Sequence, residues 1–324
     1  VSPASLGTRP YERGLLQLGG GAYAWLQPDG GWGWSNAGLI VDGEASLLVD
    51  TLFDLPLTDA MLRAMRDAEP RAAARIDTVV NTHANGDHCN GNELVADAVI
   101  ISSSAALEEM EHDVTPAQMA ELVRRGPEMG PMGRYFAEIF GPFDFAGVTQ
   151  TFPNRTFEGE LEVAVGDKTV RLLEVGPAHT RGDVLAHVPA DRTVFTGDVL
   201  FIEGTPIVWA GPIANCIAAC DRILEMDVET IVPGHGPVTD RRGVLAVKRY
   251  FEFVRDEARR RFDADMPVFE AAADIALGEF AHWGDRERIA VNVVALYREF
   301  SGEAEGPSIF EVFGAMAELR RQAR

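Results

Sequence analysis

The sequence predicts an α/β (α+β) protein built from two sheets packed face to face, with helices outside. Strands and helices come in two successive blocks, each mostly β first and α after. Hairpins interrupt the strand–helix alternation that a doubly wound parallel sheet would need. Residues 263–324 are helical in pattern, with breaks near Gly284 and Gly302, so a helical C-terminal extension follows the sandwich.

In chain order, residues 14–26 and 38–51 read as short strands. "GLIVDGEASLLVDT" is a hairpin turning at Asp42-Gly43. Between these strands, "PDGGWGWSN" is a Gly-rich loop carrying Trp32 and Trp34. Residues 55–68 place Leu57, Met61, Leu62 and Met65 at helical spacing. A strand over 76–80 leads directly into "NTHANGDHCNGN", and a strand over 98–101 and helical stretches continue to Arg125. Residues 126–151, "GPEMGPMGRYFAEIFGPFDFAGVT" and beyond, are rich in Gly, Met and Phe with weak periodicity. They read as a loop and candidate lid. "LEVAVGD", "TVRLLEV", "DVLAHVP" and "TVFTGDVLF" return to strands, followed by a helix over 215–226, a strand over 230–232 and a long helix over 243–262. The expected organisation is a sandwich domain over 1–262 with the extension over 263–324 packed on it.

The formal net charge of -21 disfavours nucleic acid and anionic membrane surfaces as partners. It leaves room for an acidic small molecule, since a bound cation reverses the local field. Three cysteines, Cys89, Cys216 and Cys220, are too few and odd for a disulfide framework and suit a reducing compartment. Cys216 and Cys220 lie four apart on a helical pattern and read as small buried residues. The N-terminal stretch has no apolar signal-like core, and no run of apolar residues could span a bilayer, so the expectation is a soluble, cytoplasmic protein.

The chemistry concentrates in four separated loops, each ending a strand: His83-Ala84-Asn85-Gly86-Asp87-His88, "GPAHTRGD" with His179, "FTGDVLF" with Asp198, and "VPGHGP" with His235. Four of the seven histidines sit there; His112, His187 and His282 lie in ordinary patterns and read as structural or surface residues. Imidazole and carboxylate are the donors a zinc site uses when water must also bind. Asp87 and Asp198, beside apolar strands, would be costly to bury without a cation.

In this order, the four stretches resemble the metallo-β-lactamase superfamily pattern: His-x-His-x-Asp-His, a downstream His, Asp in "TGD" and His in "PGHG". The resemblance implies a four-layer αββα sandwich with a metal site at one sheet edge, usually dinuclear zinc. It assigns His83 and His179 to a first metal, Asp87, His88 and His235 to a second, and Asp198 to a bridge. It also implies a metal-bound hydroxide attacking a carbonyl, with Asp87 orienting the nucleophile and accepting a proton. The departure is Asn85, which stands where the family has its second His. Three readings follow: a loosely held first metal with Asn85 or water filling the gap, a single metal kept by Asp87, His88, Asp198 and His235, or Asn85 bonded to substrate or water. The reading favoured is two zinc ions with a weakened first position. Cys89 reads as packing behind the ligand loop, Asn90, Gly91 and Asn92 as loop-shaping, and Asn36 as structural. Arg181 and Asp183 read either as supports for His179 or as a solvated pair.

In related enzymes the loop of Trp32 and Trp34 overhangs the metals. The two indoles are expected either to wall a substrate site or to pack back on the sheet. The Phe/Met-rich segment 129–145 and the C-terminal helices are candidates for a lid, a homodimer surface or plain core. Together they suggest an apolar small-molecule substrate. The expected function is a metal-dependent hydrolase of an ester, thioester, lactone or amide. The local forms "NTHANGDH", "HTRGDV" and "FTGDVLF" resemble the aromatic polyketide cyclase/thioesterase branch. The alternative is a non-catalytic small-molecule binding protein on a degenerate metal site, for which Asn85 is the support.

Overall fold

The computed structural model describes residues 5–303 and 306–323, so the first four residues of the N-terminal stretch and part of the extension lie outside the described residues. The chain runs β1 (Gly14–Gly19), β2 (Ala22–Leu26), β3 (Ala37–Asp42), β4 (Ala45–Val49), α1 (Leu55–Ala68), β5 (Thr78–Val80), α2 (Gly86–Cys89), β6 (Val99–Ser103), α3 (Ser104–Met110), α4 (Pro116–Arg125), α5 (Gly130–Phe140) and β7 (Arg155–Phe157). The second half holds β8 (Glu160–Val165), β9 (Lys168–Glu174), β10 (Val184–Val188), β11 (Thr193–Phe195), α6 (Ile213–Glu225), β12 (Thr230–Val232), α7 (Arg241–Phe262), α8 (Val268–Asp274), α9 (Ile289–Ser301) and α10 (Ile309–Gln322).

The two blocks make two sheets, β1-β2-β3-β4-β5-β6-β7 and β12-β11-β10-β9-β8. Strands β1 to β4 are antiparallel, as the hairpins require, while β4 to β7 run parallel. Side-chain alternation then builds the layers. Along β4, Leu47 and Val49 enter the core between the sheets, while Leu48 faces the opposite way toward Met61, Leu62 and Met65 of α1. Along β10 and β11, Val184, Ala186 and Phe195 join the inter-sheet core, while Leu185 and Val194 face the helices of the second half. The result is helix, sheet, sheet, helix: the αββα arrangement. Gly38 marks how closely the sheets approach, since a Cβ there would run into the Phe195 ring of the facing sheet.

The C-terminal helices are part of the largest core. Ala290, Val293 and Leu296 of α9 and Phe313 and Met316 of α10 are buried with residues of α6 and α7. One expectation needs correction. Residues 126–151 are not an irregular loop: they contain α5, which starts with Pro131 in its first turn and buries Tyr135, Ile139 and Phe140. The glycines disguised a helical spacing that tertiary packing against α10 rewards. Among the described residues, no helix is long and apolar enough to cross a membrane.

Candidate metal centre

The loops that leave β5, β11 and β12, and the connection from β9 to β10, meet at one rim of the sandwich. The first loop passes from β5 through His83 into the short α2, which carries Asp87 and His88 with Asn85 just before it. Asp198 lies in a tight turn after β11, and His235 follows β12. A Cβ at Gly234 would run into Asp198 Oδ1 and the Gly197 backbone, so glycine there lets the two loops touch. Asn36 pins the His235 turn by donating to the Pro233 and Gly236 carbonyls. All six of His83, Asp87, His88, His179, Asp198 and His235 are buried.

Each of the four imidazoles is anchored at Nδ1 by an oxygen. His88 Nδ1 lies 2.9 Å from Asp50 Oδ2, His179 Nδ1 2.7 Å from the Ile207 carbonyl and His235 Nδ1 3.1 Å from the Gly30 carbonyl. His83 Nδ1 lies 3.0 Å from Thr82 Oγ1, whose own hydroxyl donates to Asp50, leaving its oxygen to accept. These partners hold a proton on Nδ1 and turn Nε2 inward, the arrangement typical of metal-binding histidine. Inside, Asp198 is the hub. Its oxygens lie 3.8 Å from His83 Nε2, 3.1 Å from His88 Nε2, 3.4 Å from His179 Nε2 and 3.4 Å from His235 Nε2. Asp87 Oδ2 adds contacts of 3.7 Å to His88 and 3.2 Å to His235.

The cluster suits a cation. His83 Nε2, His88 Nε2 and Asp198 Oδ1 are buried and make no hydrogen bond, a costly state for polar atoms facing one another. Two groups, His83/His88/Asp198 and Asp87/His88/His235, bring donor atoms within 4.8 Å of one another. Asn85 Oδ1 lies 2.8 Å from His179 Nε2. With the His179 proton held by Ile207, two lone pairs would face each other unless a cation lies between them or the amide presents its NH2.

Titration follows from this crowding. Burial pushes the Asp198 carboxyl up, but His235, His88, His83 and His179 outweigh it and hold it well below the usual carboxylate range. Burial works against a charge on His235, yet Asp198 and Asp87 raise it to about 9. Burial likewise opposes a charge on His88, but Asp198, Asp87 and Asp50 raise it well above the usual imidazole range. Burial, then the neighbouring His88, push His83 well below it.

Asp50 is the functional position that sequence reasoning missed. It sits at the end of β4 in a left-handed conformation, φ 64°, and accepts from the Thr82 N–H, the Thr82 hydroxyl and His88. A polar residue closing the apolar run "SLLVD" was the available signal. Of the residues first read as loop-shaping, Asn92 donates to Asn81 Oδ1, and Asn90 donates to the Phe53 carbonyl. Asp183 accepts from the Thr180 N–H and hydroxyl and thereby shapes the His179 loop, while Arg181 is exposed and pairs with Glu108. The Cys89 thiol is pushed well above its usual range by burial and points at the Ala84 and Asn85 carbonyls.

Asn85, Asp87, His179, Asp198 and His235 form the floor of a cavity of about 560 Å³. Its wall includes Trp32, Phe136, Phe140, Trp209 and Phe313. The Trp32 ring lies 5.7 Å from Phe140, 6.4 Å from Trp209 and 5.9 Å from Phe313. Trp34 does not share this wall. It packs on Phe143 at 4.7 Å with the Arg13 guanidinium 4.8 Å over its ring, because Gly33 at φ 73° turns the chain between the two indoles. His112, read as an ordinary residue, lies at the cavity rim.

A family model described as the metallo-beta-lactamase superfamily matches residues 30–235. Similar proteins include the acyl-coenzyme A thioesterase MBLAC2 of Gallus gallus, 25% identical over 211 residues, or 62% of this chain and 72% of that one. The probable metallo-hydrolase MJ0888 of Methanocaldococcus jannaschii is 24% identical over 228 residues, 68% of this chain and 97% of that one. Among solved structures, the inverting sec-alkylsulfatase Pisa1 from Pseudomonas sp. matches with a TM-score of 0.68 at 17% identity, over 90% of this chain and 50% of that one. This chain therefore spans about half the length of the sulfatase, and that likeness concerns the fold alone.

Proposed function

The chain belongs to the metallo-β-lactamase superfamily, and from that premise we propose that it is a metal-dependent hydrolase of thioesters with an apolar acyl group. The observation that carries this reading is the inward-facing His/Asp cluster on the floor of an aromatic-walled cavity. The thioesterase name of relatives at about a quarter identity supports the leaving group.

His83 and His179, with Asn85 beside them, would hold one zinc ion; Asp87, His88 and His235 would hold another, with Asp198 between. A bound cation supplies Lewis acidity at a carbonyl oxygen and makes water acidic enough to react near neutral pH. Asn85 brings a neutral amide in place of an imidazole, so the first position is the weaker one. Asp50, Thr82, Ile207 and Gly30 keep the imidazoles in the tautomer that presents Nε2.

Asp87 is the more open of the two carboxylates, its side chain 12% exposed against 4% for Asp198. It takes the proton released as water oxygen bonds to the carbonyl carbon. It returns that proton to the thiolate as the C–S bond breaks. Trp32, Phe140, Trp209 and Phe313 seat the acyl chain and displace water from it. The test is turnover of a panel of acyl thioesters, activated esters, lactones and amides, with and without chelator, scored for free acid and for ring-closed product. Chelator-sensitive release of free acid is expected. Ring-closed product would point to the cyclase/thioesterase reading, and no metal-dependent turnover on the whole panel would favour a binding protein.

A further inference from the structure

We infer that the thioester's carrier arm is uncharged, and that the cavity rim turns away polyphosphorylated thiols such as coenzyme A; this rests on the thioesterase reading above. The exposure of the lining residues locates the mouth. Val114, Ile309 and Phe310 are 48%, 50% and 55% exposed, and the Glu108 side chain is 65% exposed. His112 and Asp113 are also exposed, whereas Asp87, Asp198, His179 and His235 are buried at the floor. The mouth thus combines apolar side chains with Glu108, Glu109 and Asp113.

The two arginines that line the cavity are already engaged. The Arg181 guanidinium lies 3.5 Å from Glu108, and the Arg181 backbone N–H donates to Glu109. Arg288 is buried, bonded to Asp285 at 3.0 Å and to the Thr205 carbonyl, with its guanidinium 4.5 Å over Trp32 and 5.2 Å over Phe201. It supports the wall and cannot turn outward without abandoning those contacts. His112 has Nδ1 2.7 Å from the Glu108 carbonyl. A phosphate cluster recognised at a protein surface requires free arginine or lysine, or convergent N–H groups. Here it would meet net negative charge, within a chain whose overall charge is -21.

The expected penalty follows from Coulomb attenuation. A few acidic groups facing several phosphate charges at roughly 10 Å in water, screened at physiological salt, disfavour binding by about tenfold. An acyl chain on pantetheine or N-acetylcysteamine presents the same thioester and amide arm without that repulsion. The exposed Val114, Ile309 and Phe310 suit the methylenes of such an arm.

The test uses non-hydrolysable thioethers carrying the same alkyl chain on coenzyme A or on pantetheine, titrated into the full chain and read by calorimetry at low and high ionic strength. The pantetheine thioether is expected to bind about tenfold more tightly, with the gap closing as salt rises. Glu108→Lys, a change at an exposed side chain, should tighten only the coenzyme A thioether. Equal or tighter binding of the coenzyme A thioether at low salt overturns the inference while leaving the thioesterase reading intact. If neither thioether binds, both fall, because the cavity is then not the acyl site. Turnover of the matching thioesters separates the cases: hydrolysis that favours coenzyme A rejects this inference alone.

Discussion

Asp50→Asn separates a metal centre built from oriented imidazoles from one held by proximity alone. Asp50 Oδ1 takes the Thr82 N–H at 2.7 Å, and Oδ2 takes the Thr82 hydroxyl at 2.8 Å and His88 Nδ1 at 2.9 Å. In the variant, the amide oxygen must stay with the Thr82 N–H, because a backbone donor cannot become an acceptor. The NH2 group then occupies the Oδ2 position and meets His88 Nδ1 donor to donor. Relief comes if the His88 proton moves to Nε2, which removes the lone pair that a metal would take. Loss of such a supporting carboxylate typically costs 10–100-fold in metal affinity, about 1.4–2.8 kcal/mol. Zinc affinity is measured by competition with a chelating fluorophore, and the His88 tautomer by 15N shifts of the imidazole. Metal affinity within twofold of the parent, or an unchanged tautomer, would refute the argument that Asp50 orients His88.

Asn85→His should restore a third imidazole to the first position and convert a weakly held metal equivalent into a tight one; two tight equivalents already present in the parent, unchanged by the substitution, would contradict a weakened site. The metal-stripped protein should lose stability as pH rises from about 6.5 through 9. The reason is that His235 is raised to about 9 in the fold, so its protonated form stabilises fully below the unfolded value and progressively less above it. Melting temperatures at several pH values, with and without chelator, check this, and metal binding in the same range should release protons. Gly38→Ala forces a methyl group into the Phe195 ring between the sheets and should cost about 1–3 kcal/mol in urea unfolding, with kcat per folded molecule unchanged.

Much of the fold was legible because alternation and spacing are local. "GLIVDGEASLLVDT" could form little but a hairpin, and Met61, Leu62 and Met65 named the buried face of α1, with Leu57 half-buried at its edge. The candidate ligands were legible for a related reason: His and Asp directly after apolar strands, flanked by Gly, have no good packing role. What the sequence could not show lies across long separations. The left-handed Asp50 meets Thr82 and His88, and the Gly30 carbonyl meets His235, only once β4, β5 and the Gly-rich loop share a rim. The separation of Trp32 from Trp34 depended on the φ of Gly33, and α5 on packing offered by α10.

The sequence by itself determined the hairpins, the helices with a clear apolar stripe and the candidate donors, since these follow from side-chain chemistry read over a few residues. Only the tertiary structure decided how each imidazole points, which indole faces the cavity and what charge surrounds its mouth, because those depend on groups brought together by chain closure, whose pairing no local pattern encodes.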